Sequence, residues 1–210
     1  MSLVLCGVSA APGSAWSEPV DCPPACDRIP ASAWPDPAEL PLARTYRWPA
    51  LADRAAAVTA PRFRFEPECA LPPVPADPRG YAVAARAAVE RPEGHWQMQV
   101  TVIHWRGETW LGGQTALAVV QASANALRGC PVPEVTITTD EPGRLAAVLD
   151  LPSDRVLHQY LLADAGNSTV VELALWSPTP AQVAWSAPPD DQLLDALAGP
   201  LCTAYIGSCR

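Results

Sequence analysis

The chain has 210 residues, of which 49% are hydrophobic and 17% charged, and its formal net charge is -8. That is enough apolar material for one domain with a buried core, and it excludes a globally disordered polyelectrolyte. All 14 basic residues are arginine and none of them cluster, which argues against nucleic acid and anionic membrane surfaces as partners. Arginine without lysine, alongside 25 prolines, is the amino-acid usage of a GC-rich genome and suggests an actinobacterial source.

Residues 1–15 have the form of a secretory leader. Leu3, Val4, Leu5, Cys6 and Val8 make a short apolar run, and Gly13 and Ala15 stand at the −3 and −1 positions of a cleavage site before Trp16. The basic front of such a leader is missing. A buried N-terminal strand is the competing reading. Cys6 follows Leu5, whereas a lipid-modified cysteine normally follows a small residue, so lipidation is the weaker alternative. No stretch has the length of a transmembrane helix.

Residues 16–60 carry Pro19, Pro23, Pro24, Pro30, Pro35, Pro37 and Pro41, which block helix interiors and ladder donation. An extended arm is expected there, with a short helix around 50–58, and a second irregular stretch over 67–78. The regular domain, 61–210, is expected to gain its first strand over 82–90, with a helix as the alternative because alanine is a poor strand former. Pro92-Glu93-Gly94 is a turn signal. A strand over 95–105 follows, with Trp96, Met98, Val100, Val102 and His104 on one face and Gln97, Gln99, Thr101, Ile103 and Trp105 on the other. Leu117, Val120, Ala124 and Leu127 form the stripe of a helix over 114–128, with Gly129 at the C′ position and Pro131 beyond it. Strands are expected over 134–139, 156–163 and 169–176, the last two joined by a turn holding Asp164, Gly166 and Asn167. The segment 144–149 has no clear period. Asp190 and Asp191 open a terminal helix whose buried face is Leu194, Leu197, Leu201 and Tyr205, with a kink expected at Gly199-Pro200. The sum is an α+β fold: a largely antiparallel sheet with flanking helices and a proline-rich N-terminal arm.

Removal of the leader leaves Cys22, Cys26, Cys69, Cys130, Cys202 and Cys209, an even set that implies three disulfides in an exported chain. The spacings Cys22-x3-Cys26 and Cys202-x6-Cys209 suit zinc poorly, so neither metal nor cofactor is expected. If both close pairs bridge locally, Cys69 joins Cys130. The rival arrangement links Cys22 or Cys26 to Cys202 or Cys209.

No catalytic constellation is evident. There is no G-x-S-x-G elbow and no phosphate loop, and His95, His104 and His158 are scattered. The adjacent pairs Asp140-Glu141 and Asp190-Asp191 suit capping and solvation better than acid–base work. The eight tryptophans are the unusual feature, and most are expected to fill the core. Trp105, Arg106 and Trp110, flanking the loop into the main helix, form the candidate ligand-binding set.

The order of elements, with a helix ending Ala126-Leu127-Arg128-Gly129-Cys130 and a C-terminal helix bearing two cysteines, resembles the extracellular sensor domains of mycobacterial serine/threonine kinases and their secreted or lipoprotein relatives. The chain lacks the tryptophan common shortly before a cysteine in that family. The resemblance implies an antiparallel sheet flanked by helices, at least two disulfides, and an unidentified ligand. The expected function is therefore an exported, non-enzymatic binding or sensor-like module of the cell envelope or extracellular space, whose partner is a small molecule or an envelope protein. The alternative is a small secreted hydrolase using His104 with a serine and an aspartate.

Overall fold

A computed structural model describes residues 28–205. Single 3-10 turns at Ala31–Ala33 and Pro37–Glu39 lead into α1 (Ala43–Tyr46), a third 3-10 turn (Ala52–Arg54) and β1 (Ala55–Ala57). Then come α2 (Phe65–Glu68), a 3-10 turn at Pro78–Tyr81, β2 (Val83–Val89), β3 (Gln97–His104) and α3 (Thr109–Arg128). The chain ends with β4 (Glu134–Glu141), β5 (Arg144–Leu151), β6 (Arg155–Asp164), β7 (Thr169–Pro178) and α4 (Asp190–Ala204). The strands form one seven-stranded antiparallel sheet in the order β1-β2-β3-β7-β6-β5-β4. After β3, α3 carries the chain to the far edge, and β4 to β7 meander back to pair with β3.

The sheet is covered on both faces, as an α+β fold with flanking helices requires. On one face α3 packs with Phe63, Phe65 and Cys69 over Ile103, Leu145, Leu149, Leu157 and Leu161. On the other, α4 and residues 33–51 cover Met98, Val100, Val102, Tyr160 and Leu173. Double coverage explains why β5 lacks a readable period. Leu145, Ala147 and Leu149 point to the α3 side while Ala146 faces α4, so apolar residues are needed at successive positions.

Four local expectations are corrected. Residues 52–57 form a 3-10 turn and a strand instead of a helix, because β1 gains ladder bonds to β2. The helix α3 starts at Thr109 instead of 114. Gly112 and Gly113 are tolerated in its first turns because they sit against the β6–β7 turn, where a Cβ on Gly113 would lie 2.3 Å from the Ala165 carbonyl oxygen. Gly129 caps α3 at φ −99°, so its freedom to go left-handed is not used. Finally, α4 runs unbroken through Pro200, with Leu193, Leu194, Leu197 and Leu201 all buried.

Between residues 28 and 54 the expected extended arm is a chain of short helical turns that completes the α4-side core. Trp34, Leu40, Leu42, Trp48 and Leu51 are buried there. The Trp48 indole N–H donates to the Pro41 carbonyl at 2.7 Å, and Leu42 N–H to the Ser186 carbonyl at 3.0 Å.

Cys69 and Cys130 form a disulfide, Cα atoms 4.9 Å apart, that ties the segment after α2 to the exit of α3. Cys202 is also disulfide-bonded, and its partner lies outside the described residues. The leader, Cys6, Cys22, Cys26 and Cys209 fall there too. No helix among the described residues is long and apolar enough to cross a membrane.

Candidate functional site

The α3 face of the sheet is crossed by residues 58–82, which begin with an alternation: Arg62-Phe63-Arg64-Phe65. The period of two turns both phenylalanines into the core, each 1% exposed, and leaves the arginines to find carboxylates. Arg62 pairs with Glu66 at 3.0 Å, and Arg64 with Glu68 at 2.8 Å. Glu68 also takes Arg155, from β6, at 2.9 Å. The Arg79 guanidinium binds both Glu66 and Asp77. Burial opposes ionisation of Asp77, but the hydrogen bonds and charge of Arg79 outweigh it and hold its carboxyl below the usual range. The same carboxylates, against the cost of burial, raise the Arg79 pKa.

Beneath this segment lies Glu172, fully buried on β7 at the centre of the sheet. Its carboxylate accepts from the Arg64 backbone N–H, from Gln99 Nε2 at 3.0 Å and from Gln159 Nε2 at 3.3 Å. Burial pushes its pKa up, and those bonds with the nearby Arg86 charge pull the other way. It anchors the crossing segment to the sheet.

Between that anchored segment and α3 runs a groove of about 330 Å³. One wall is Ala118, Val119, Ala122 and Ala126 of α3, where alanines spaced four apart keep the helix surface low. The other is Phe65, Leu71, Pro72 and Val74, with Glu66, Asp77 and Arg79 at its base. Those three charges satisfy one another, so the free surface of the groove is mainly hydrocarbon. Val74 of its wall is 62% exposed, and Tyr81 (74%), Trp110 (69%) and Leu111 (55%), which do not line it, are exposed on the neighbouring turn and the first turn of α3. A second, wider cleft of about 860 Å³ lies between residues 38–45 and α4, and its lining mixes Glu39, Arg44, Gln192 and Asp195 with apolar groups.

The candidate set from sequence divides. Trp105 is buried and its indole N–H donates to the Pro78 carbonyl at 2.9 Å, so it is a structural pin. It locks the Pro78–Tyr81 turn to the β3–α3 junction. Arg106 and Trp110 are exposed at that junction. The groove walls and Tyr81 were not part of the sequence-derived set. The Arg-Phe alternation and the four-residue alanine spacing were the available signals.

The three histidines stand in separate places. His104 is 2% exposed, its Nδ1 3.0 Å from Thr169 Oγ1 and its ring stacked on Tyr205. His95 Nδ1 lies 3.3 Å from the Tyr46 hydroxyl. His158 stacks on Trp185 with ring centroids 3.6 Å apart and also meets Trp96. Burial pushes the His158 pKa down to about 4, only partly offset by Asp190. Of the adjacent acids, Asp140 holds Arg128, and Asp190 accepts from Thr139 Oγ1 at 3.2 Å while opening α4. Among the described residues, no group of three His, Cys, Asp or Glu could hold a metal ion. Comparisons with protein-family models, with curated proteins and with solved structures return no match.

Proposed function

We propose that this chain is an exported, non-enzymatic binding module of the cell envelope or extracellular space, and that it holds an apolar ligand in the groove between α3 and residues 65–79. The observation that carries the reading is a hydrocarbon-lined groove whose wall leaves Val74 62% exposed to solvent. Concave, mainly apolar grooves with a few polar groups at one side are the usual form of a small-molecule site. The Cys69–Cys130 bridge is compatible with an oxidising compartment and also fixes one wall of the groove. The sensor-domain resemblance belongs to the same proposal and supplies no site residue. The burial of His104 under Tyr205 lends the hydrolase alternative no support.

Native mass spectrometry of protein purified from its own host should show a retained apolar ligand. The Ala122→Trp variant, which fills the groove from an exposed helical position, should fold normally and come without it. Ligand retained equally by both proteins refutes the groove as the site. N-terminal sequencing of the native protein tests export: the expected start is near Trp16, and intact Met1 from a cytosolic fraction overturns it.

A further inference from the structure

The two edges of the sheet are unlike. β1 is three alanines long, whereas β4 spans eight residues and, among the described residues, has β5 as its single strand neighbour. Among the described residues, no other segment makes a backbone hydrogen bond to 134–141. Proteins usually blunt such an edge with charged side chains, above all lysine, with proline, a bulge or a covering element. β4 contains neither lysine nor proline. Its middle is Val135-Thr136-Ile137, good strand formers, and its one irregularity is a bulge between Ile137 and Thr139.

The charges around this edge have one dominant sign. The register places Glu134 opposite Asp150 and Glu141 opposite Arg144, with all four side chains on the α4 side of the sheet. The start of α4 brings Asp190, Asp191 and Asp195 to the same side, joined to β4 by the Thr139–Asp190 bond. Arg144, the lone base among them, is already engaged by Asp195 at 2.8 Å and by the Asp191 carbonyl.

We infer that β4 is a docking edge for an extended segment of another protein carrying arginine or lysine at alternate positions, which adds to the sheet as an eighth strand. Main-chain hydrogen bonds would supply the affinity. Alternation matters because every second side chain of the added strand lies on the acidic α4 side. The charges select against a second copy of this chain: in the full antiparallel register its Glu141 would oppose Glu134, and like charges directly opposite are destabilising.

The test titrates the full-length protein with a fluorescent ten-residue peptide of alternating valine and arginine. Companion peptides are alternating valine and glutamate, and the arginine peptide with two central prolines. The expected result is saturable binding of the arginine peptide alone, weakened by salt, with amide-exchange protection gained over residues 134–141. The doubly neutralised variant Glu134→Gln/Glu141→Gln, altered only at exposed side chains, should keep its unfolding midpoint and lose affinity by about threefold or more. Equal binding of the proline peptide would reduce the effect to bulk charge and overturn the proposal. So would protection elsewhere, strong protection of 134–141 before any peptide is added, self-association through β4, or no binding near 1 mM, about the weak end of specific recognition.

Discussion

Replacing both Cys69 and Cys130 by alanine isolates the staple that closes the groove wall. The two residues are 61 apart in sequence, and cross-linking a loop of that size restricts the unfolded chain by about 4 kcal/mol in loop-closure entropy. A domain of this size has a total stability of roughly 5–15 kcal/mol, so the bridge accounts for a large share. Loss of the buried Cys69 sulfur adds a smaller packing penalty. Urea titration of wild type and double variant should show the midpoint falling with a loss of about 4 kcal/mol, and thermal melting should drop by roughly 10 °C. The native sheet should survive, because the Glu66–Arg79–Asp77 cluster and Glu172 still hold residues 62–79. A loss below about 1 kcal/mol would refute the reasoning, since the unfolded chain would then gain little freedom from the cut.

Alanine at Gly113 should destabilise by about 1–3 kcal/mol despite its better helix propensity, because its Cβ meets the Ala165 carbonyl, whereas alanine at Gly199, which has open space, should stabilise by up to about 1 kcal/mol; chemical denaturation gives both signs. Burial holds the folded His158 pKa at about 4 against an ordinary 6.5, so stability is complete above about pH 6.5 and falls, by up to about 3 kcal/mol, as pH drops from there through about 4; a His158→Phe variant should flatten that part of the profile. Glu172→Ala removes the acceptor for Arg64 N–H, Gln99 and Gln159 and should cost about 3 kcal/mol or more in urea titration, with exchange protection lost first over residues 62–68.

The parts of the fold legible in sequence are those with one dominant period. β3 showed its alternation, the β6–β7 hairpin showed its Asp164-Gly166-Asn167 turn, and α3 showed Val120, Ala124 and Leu127 on one stripe. The Cys69–Cys130 pairing could be reached by supposing that the close pairs bridge locally, although Cys22, Cys26 and Cys209 fall outside the described residues. Illegible parts depend on contacts distant in sequence. Trp34 and Trp48 sit among prolines that look solvent-bound, and the sheet and α4, distant in sequence, make them core. Gly112-Gly113 reads as a loop until the β6–β7 turn is seen pressing on it. Trp105 and Trp110 look equivalent as exposed-loop tryptophans, and the Pro78 carbonyl is what draws one inward. Glu172 carries a sequence signal of its own, as the lone acid in Val170-Val171-Glu172-Leu173-Ala174-Leu175.

The crossover through α3 also sets an order of events during synthesis. β3 and β7 are immediate neighbours at the middle of the sheet, yet His104 and its partner Thr169 are 65 residues apart. A nascent chain growing at roughly 5–20 residues per second leaves β2 and β3 without their central partner for several seconds. The run from β4 to β7, by contrast, closes through three consecutive hairpins as it is made. The late half is thus the natural nucleus, and the early half is apolar cargo that must be kept from other chains until β7 arrives.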